Sequence, residues 1–156
     1  MRITFVIFLF LSSVALGQID TLNNKELKKN NLTLNIGSAV LWNTVGIQYQ
    51  RLFYRKKKYS VLTIGQDFNR LFFWDYFVDS HITSIKYGIV TEPKNLLKPH
   101  HFEINGGIAG LYQEGDFLII PVGNLGYRHQ YPDKKFIFRT GIGVPELIYL
   151  SFGFKF

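Results

Sequence analysis

Cysteine is absent from the 156 residues, and methionine occurs only once. We therefore expect no disulfide, no thiolate metal site and no lipid anchor attached through cysteine. Charged residues are also scarce, at 19% against roughly 25% in an ordinary globular domain. Hydrophobic residues reach 47%. This balance favours a protein whose surface meets something other than water.

The sequence also lacks an apolar run long enough for a membrane-spanning helix, which needs about 20 residues. Its longest apolar run, at residues 3–11, lies within MRITFVIFLFLSSVALGQ. Basic Arg2 before this run, and the small residues Ala15 and Gly17 after it, are typical of a secretory signal; the alternative is a buried N-terminal helix. We expect a signal peptide at 1–17, a short polar leader at 18–30 and one folded domain at 31–156.

Alternation with a period of two dominates the chain after residue 30. In NLTLNIGSAV, Leu32, Leu34 and Ile36 share one face, and in LIYLSFGFKF the even-numbered apolar residues do the same. About eight segments of roughly nine to eleven residues follow this pattern. Local turn sequences such as RKKK, QEGD and YPDKK separate them. The pattern predicts an all-β fold, an eight-stranded antiparallel up-and-down barrel.

The character of the two faces predicts which of them lies inside. The polar face consists mainly of Gly, Asn, Gln, Ser and Thr, which suit the cramped interior of an eight-stranded barrel. The apolar face is bulky and aromatic, as lipid contact allows, so we expect a transmembrane barrel. The alternative is a soluble exported, lipocalin-like barrel with the faces reversed around an apolar ligand. The expected aromatic girdles contain Tyr49, Tyr59, Tyr87, Phe102, Tyr127 and Tyr149.

The closing YLSFGFKF, together with the signal, the strand count and the alternation, resembles the small eight-stranded outer-membrane barrels of Gram-negative bacteria. The resemblance implies location in the outer membrane, contact with its lipid, and a last strand that closes the barrel against the first. It also implies that Phe154 and Phe156 form an assembly signal for the barrel-assembly machinery.

Four charged residues fall on the predicted inner face. A charge in a narrow lumen has to be paired. We therefore expect Glu103 to pair with Arg139 or Arg128 and to plug the lumen, and a narrow pore is the alternative. The predicted lumen charge network is Glu103, Arg128, Arg139 and Lys86.

The basic turns and the acidic loops are expected at opposite ends of the barrel, because both chain ends of such barrels face the periplasm. A basic periplasmic rim beside lipid phosphates is predicted. Nucleic acid is not an expected partner, since it needs a continuous basic surface with base-stacking groups. The rim contains Arg55, Lys56, Lys57, Lys58, Lys134 and Lys135. The opposite, outer loops are expected to hold Asp67, Asp75, Asp79, Glu114, Asp116 and Glu146.

Residues 69–80 are predicted to form the longest outer loop. Their aromatic side chains are too many for a bare loop, so two interpretations remain. In one, the strands extend and the rings join a girdle; in the other, they contact a protein or glycolipid partner. The patch contains Phe72, Phe73, Trp74, Tyr76 and Phe77.

No catalytic, cofactor or metal site is predicted. His100 and His101 are adjacent, so in a strand their rings point to opposite faces. Ser84 and Ser151 have no histidine on the same face of their own strands, and no nucleophile elbow motif is present. The expected role is structural or one of surface interaction. A lipid-modifying enzyme that uses contacts between strands is an alternative.

Overall fold

The computed structural model describes residues 29–39, 42–55, 58–73, 76–91, 99–131 and 134–156. It confirms the predicted all-β fold: eight antiparallel strands follow one another in chain order and close into a barrel. Pairing of the last strand with the first completes the closure. The strands are β1 (Asn30–Ala39), β2 (Trp42–Arg55), β3 (Lys58–Phe73), β4 (Tyr76–Val90), β5 (His100–Gln113), β6 (Asp116–His129), β7 (Phe136–Val144) and β8 (Ile148–Lys155).

Alternation along each strand separates an inner from an outer face. In β1, Thr33 and Asn35 are buried, whereas Leu32 and Leu34 are exposed. A strand turns successive side chains to opposite faces, so a single register fixes which residues line the lumen. The lumen is polar along this strand, and the outer wall is apolar.

The strands on one side of the barrel are longer than those on the other, and most of them fall outside the expected nine to eleven residues. β2 to β6 have 14 to 16 residues, whereas β1, β7 and β8 have 8 to 10. Because β7 ends at Val144, opposite Gly123, the first half of β6 pairs only with β5 among the described strands. The end of the β5–β6 hairpin therefore projects as an arm, which explains why FLIIPV exposes apolar residues on both faces.

The turn of this arm is short and needs positive φ angles. Glu114 has φ of 48° and Gly115 has φ of 101°. A two-residue turn of this kind matches the right-handed twist of the strands that it joins. The QEGD sequence thus forms a tight hairpin between β5 and β6.

Residues 69–73 and 76–80 extend β3 and β4 instead of forming a long loop, which confirms the interpretation in which the strands extend. β3 continues to Phe73 and β4 begins at Tyr76, with Phe72 opposite Phe77. Aromatic residues fit a pleated surface, so the chain extends both strands here. Trp74 lies outside the described residues, and the side chains of the other four patch residues are also outside what the structure describes.

β1 begins at Asn30, one residue before the expected start of the domain. The predicted signal and almost the whole predicted leader lie outside the described residues. None of the described segments is a helix that is long and apolar enough to cross a membrane.

Two apolar clusters lie inside the barrel, one near each end. The first joins Leu52, Tyr59, Val61 and Val90 near the end where β1 begins and β8 ends, which we call the terminal end. Tyr59 therefore faces the lumen, and its expected place in a girdle is wrong. The second cluster lies toward the opposite, distal end and contains Ile82, Ala109 and Val122, with Leu111 and Ile120 against it.

Candidate functional site in the lumen

A group of three charged side chains from neighbouring strands meets inside the barrel. Glu103 of β5, Arg128 of β6 and Arg139 of β7 all point inward and are at most 1% exposed. Arg128 Nη1 donates to Glu103 Oε2 at 2.9 Å, and Arg139 Nε donates to Glu103 Oε1 at 2.8 Å. Arg139 Nη2 contacts the same oxygen. Both arginines thus bind one carboxylate, and we call these three residues the terminal layer.

Amide side chains complete the hydrogen bonds of the terminal layer. Gln50 and Gln130 accept from Arg128 at 3.1 and 2.7 Å, and Gln48 accepts from Arg139 at 3.3 Å. These bonds connect β2 across the lumen with β6 and β7. The alternation placed Gln48 and Gln50 on the polar face, but their partners follow from the closure of the barrel.

Tyr149 also lies inside, which corrects its expected place in a girdle. Its ring centroid is 5.6 Å from the guanidinium carbon of Arg139, and its hydroxyl accepts from Asn124 at 3.1 Å. Gly126 makes room for this ring, because a Cβ there would overlap the Tyr149 hydroxyl. Burial of a large polar ring in a narrow lumen requires such a gap on the opposite wall.

A second charged group lies closer to the distal end. Asp67 and Lys86 are buried on the inner face, and Glu146 lies against the inward-facing Gly37. Lys86 interacts electrostatically with both carboxylates, but among the described residues it makes no ion pair within 4.0 Å. We call Asp67, Lys86 and Glu146 the distal layer. Asp67 was expected in an outer loop and lies in β3 instead, which corrects that expectation. Glu146 lies in the turn between β7 and β8, as expected, with its side chain against Gly37.

The distal layer is less completely bonded than the terminal layer. Asp67 Oδ1 is buried without a hydrogen-bond partner in the described part of the chain, and so are Asn35 Oδ1 and Ser84 Oγ. Buried polar atoms of this kind are commonly satisfied by internal water. Polar atoms near the terminal layer also lack a partner among the described residues, and they belong to Gln130, Ser151 and His101. The two layers thus differ in how their charged groups are bonded.

The histidines lie apart from the two strand serines in the part of the chain that the structure describes. His101 points inward, and its Nδ1 contacts the carbonyl oxygen of Thr91 at 3.1 Å. In the described ranges no hydrogen bond joins a histidine to Ser84 or Ser151. No cluster of three or more metal-ligating histidine or acidic side chains occurs there either.

The other predicted sites lie on the rims and the outer wall. Lys134 and Lys135 are exposed at the terminal end, and Arg55 lies opposite Lys58 where β2 joins β3. Lys56 and Lys57 lie outside the described residues. The expected assembly signal, Phe154 and Phe156, points outward from β8 and is exposed.

Comparisons with known proteins give no relative for this chain. No protein-family model, curated protein or solved structure matches it. The lumen network and the outer wall are thus the features that bear on function.

Proposed function

We propose that this chain is a small outer-membrane barrel with a plugged lumen and a structural or surface-interaction role. The observation that supports this proposal is that the inner face of the barrel is polar and the outer face is apolar. Ion pairs and amides are buried inside, while large aliphatic and aromatic side chains remain exposed outside. A surface of this kind is favourable against lipid and costly against water, because exposed apolar area has an unfavourable hydration free energy.

The placement of aromatic residues on the outer wall supports this role. A row that follows the register across four strands contains Phe68, His81, Tyr112 and Phe117. Near the terminal end, Phe136 lies opposite Phe154. Aliphatic residues such as Ile85 and Ile104 occupy the wall between these levels. Two aromatic girdles around an aliphatic band are typical of membrane-spanning barrels.

The terminal layer supports a plugged lumen. Its ion pairs and glutamine bonds fill the space between β2 on one side and β5 to β7 on the other. An apolar ligand in a lipocalin-like cavity would need this space lined by apolar groups. A charged and cross-linked interior argues against that alternative.

The first test is gel mobility of the outer-membrane fraction from cells that produce the full chain, with and without boiling. A closed membrane barrel resists the detergent until it is heated, so we expect a clear shift in mobility. Recovery of the protein in the aqueous periplasmic fraction, without a shift, would contradict the proposal.

A bilayer recording distinguishes the plug from the alternative of a narrow pore. The purified barrel is expected to give no channel current, because Glu103, Arg128 and Arg139 close the lumen. A pore would conduct in the parent protein, with a conductance that changes in Arg139→Ala. Steady current in the parent would overturn the plug while leaving the membrane barrel in place.

A further inference from the structure

A groove crosses the outer wall near the distal ends of β2, β3 and β4. Its volume is about 420 Å³, which lies in the range of roughly 300–1,000 Å³ for small-molecule pockets. Polar and aromatic side chains line it together. The lining residues are Asn43, Val45, Phe68, Asn69, Arg70, Asp79, Ser80 and His81.

Hydrogen-bond donors and acceptors from three strands form the polar side of this groove. Asn43, Arg70 and Asp79 follow one another across the register of three strands. Arg70 donates from Nε and Nη2 to the two carboxylate oxygens of Asp79, at 2.8 and 3.2 Å. Both side chains are more than 60% exposed, and exposed ion pairs add only about 0–1 kcal/mol to stability. The barrel therefore does not depend on this pair for its stability, and the polar atoms of the pair line the groove.

Aromatic rings form the other side. Phe68 and His81 occupy the adjacent outward row and pack edge to face, with centroids 5.0 Å apart. Asn69 belongs to the row that faces the lumen, where its Oδ1 accepts from Thr44 Oγ1 at 2.7 Å, so it adds no group for a ligand on the outer wall. An aromatic wall beside carboxylate, amide and guanidinium groups suits a ligand with an apolar ring face and a rim of hydroxyls. A sugar ring has this chemistry.

Charge in the groove favours a neutral sugar over a phosphate. The Asp79 carboxylate neutralises Arg70, and it would repel a phosphate brought to the same place. A hydroxyl group, in contrast, can donate to Asp79 and accept from Arg70 or Asn43. The groove is therefore matched to a hydroxyl-rich and uncharged group.

Position on the wall indicates where the sugar comes from. The polar row with Arg70 and Asp79 lies immediately beyond the aromatic row that contains Phe68 and His81, on its distal side. In the proposed membrane barrel, an aromatic row marks the boundary between acyl chains and headgroups. A sugar in the groove would thus sit at headgroup depth, with its acyl chains along the apolar wall below Val45.

We propose that this groove binds the sugar headgroup of a glycolipid from the leaflet around the distal end of the barrel. The inference rests on the proposed membrane location and adds the partner and its site. Asp79 and Arg70 would hydrogen-bond the hydroxyls, and Phe68 would pack against the ring face.

The test uses the full chain in nanodiscs of phosphatidylcholine with a minor fraction of glucosyl-diacylglycerol of the same acyl composition. Native mass spectrometry then counts the lipids that stay bound. We expect the glycolipid to be retained in preference to phosphatidylcholine, and Asp79→Ala to lower this preference by about ten-fold. Phe68→Ala should lower it too, through loss of the ring contact.

Glu114→Gln is the matched control, because it removes an exposed carboxylate from the turn between β5 and β6, which is also at the distal end. Its glycolipid preference should equal that of the parent. Equal retention of the two lipids by the parent, or undiminished preference in Asp79→Ala, would overturn the glycolipid site alone. Failure of the chain to insert into the nanodisc and to shift on heating would overturn both proposals.

Discussion

The two charged layers of the lumen differ in how their buried charges are compensated. In the terminal layer, one carboxylate, Glu103, faces two guanidinium groups at hydrogen-bond distance. In the distal layer, two carboxylates flank the single ammonium of Lys86 without an ion pair within 4.0 Å in the described part of the chain. The net charges of the two layers are opposite when all groups are ionised. The two layers thus balance each other, although neither is balanced alone, and the buried Lys155 adds a further positive charge on the inner face of β8.

This difference shows which buried charges are compensated by direct contacts and which are not. A buried ion is tolerated only when short, well-directed contacts offset its desolvation. The terminal layer and the glutamines of β2 supply such contacts from four strands. The distal layer relies on longer-range attraction and leaves Asp67 Oδ1 without a partner in the described residues. We therefore expect the terminal layer to carry more of the free energy of unfolding.

Glu103→Gln should give the largest effect on stability. The substitution keeps the shape of the side chain but leaves Arg128 and Arg139 buried without a counter-charge. Loss of one partner from a buried ion pair costs about 3–5 kcal/mol. Urea unfolding of the barrel in detergent micelles, followed by tryptophan fluorescence, measures the change.

Glu114→Gln is the control for Glu103→Gln, since Glu114 is exposed in the β5–β6 turn. Its unfolding free energy should stay within about 0.5 kcal/mol of the parent, as is usual for surface substitutions. Equal midpoints for the two variants would show that the terminal layer does not stabilise the barrel.

Two glycine substitutions, one near each layer, extend the comparison and are expected to change stability less than Glu103→Gln does. In Gly126→Ala the new methyl would overlap the Tyr149 hydroxyl and approach the carbonyl oxygen of Thr140 to 2.5 Å. Overpacking of this kind costs about 1–3 kcal/mol. In Gly65→Ala, near Asp67, the atoms nearest to the new methyl are Ser84 Oγ and Gln48 Cγ, at 2.9 and 3.2 Å. Both belong to side chains that can move.

We therefore expect the unfolding free energy to fall clearly in Gly126→Ala and by less than about 1 kcal/mol in Gly65→Ala. Parallel urea titrations of both variants and the parent provide the measurement. A larger loss in Gly65→Ala would mean that the distal half of the lumen is the more tightly packed one.

Alternation in the sequence predicted the lumen charges because the period of two is a local property of a strand. Glu103, Arg128 and Arg139 each share a face with small polar neighbours, and closure of the barrel brings them together. The partners on β2 could not be predicted in the same way. Gln48 and Gln50 reach the arginines across the lumen, and that contact depends on the register around the whole barrel.

Tyrosines and acidic residues were the weak point of the sequence-based prediction. Tyr59 and Tyr149 were assigned to lipid girdles by residue type, although their positions in the alternation place them inside. Asp67 was assigned to an outer loop because strand ends are poorly marked in the sequence. β3 in fact runs several residues past Asp67, and the wall of the lumen includes it. Local period was thus a better guide to facing than residue type.

Asp67→Asn should have the smallest effect and addresses the distal layer directly. The substitution is isosteric, removes one of the two carboxylates that flank Lys86, and relieves the desolvation of a buried charge that lacks a partner for Oδ1 in the described residues. The loss of attraction to Lys86 and the relief of desolvation oppose each other. We expect the unfolding free energy to change by less than about 1 kcal/mol, the size of one hydrogen bond. Urea titration beside Glu103→Gln gives the contrast. A loss as large as that of Glu103→Gln would mean that Lys86 is bound as tightly as the two arginines, and that the layers differ in geometry but not in energy.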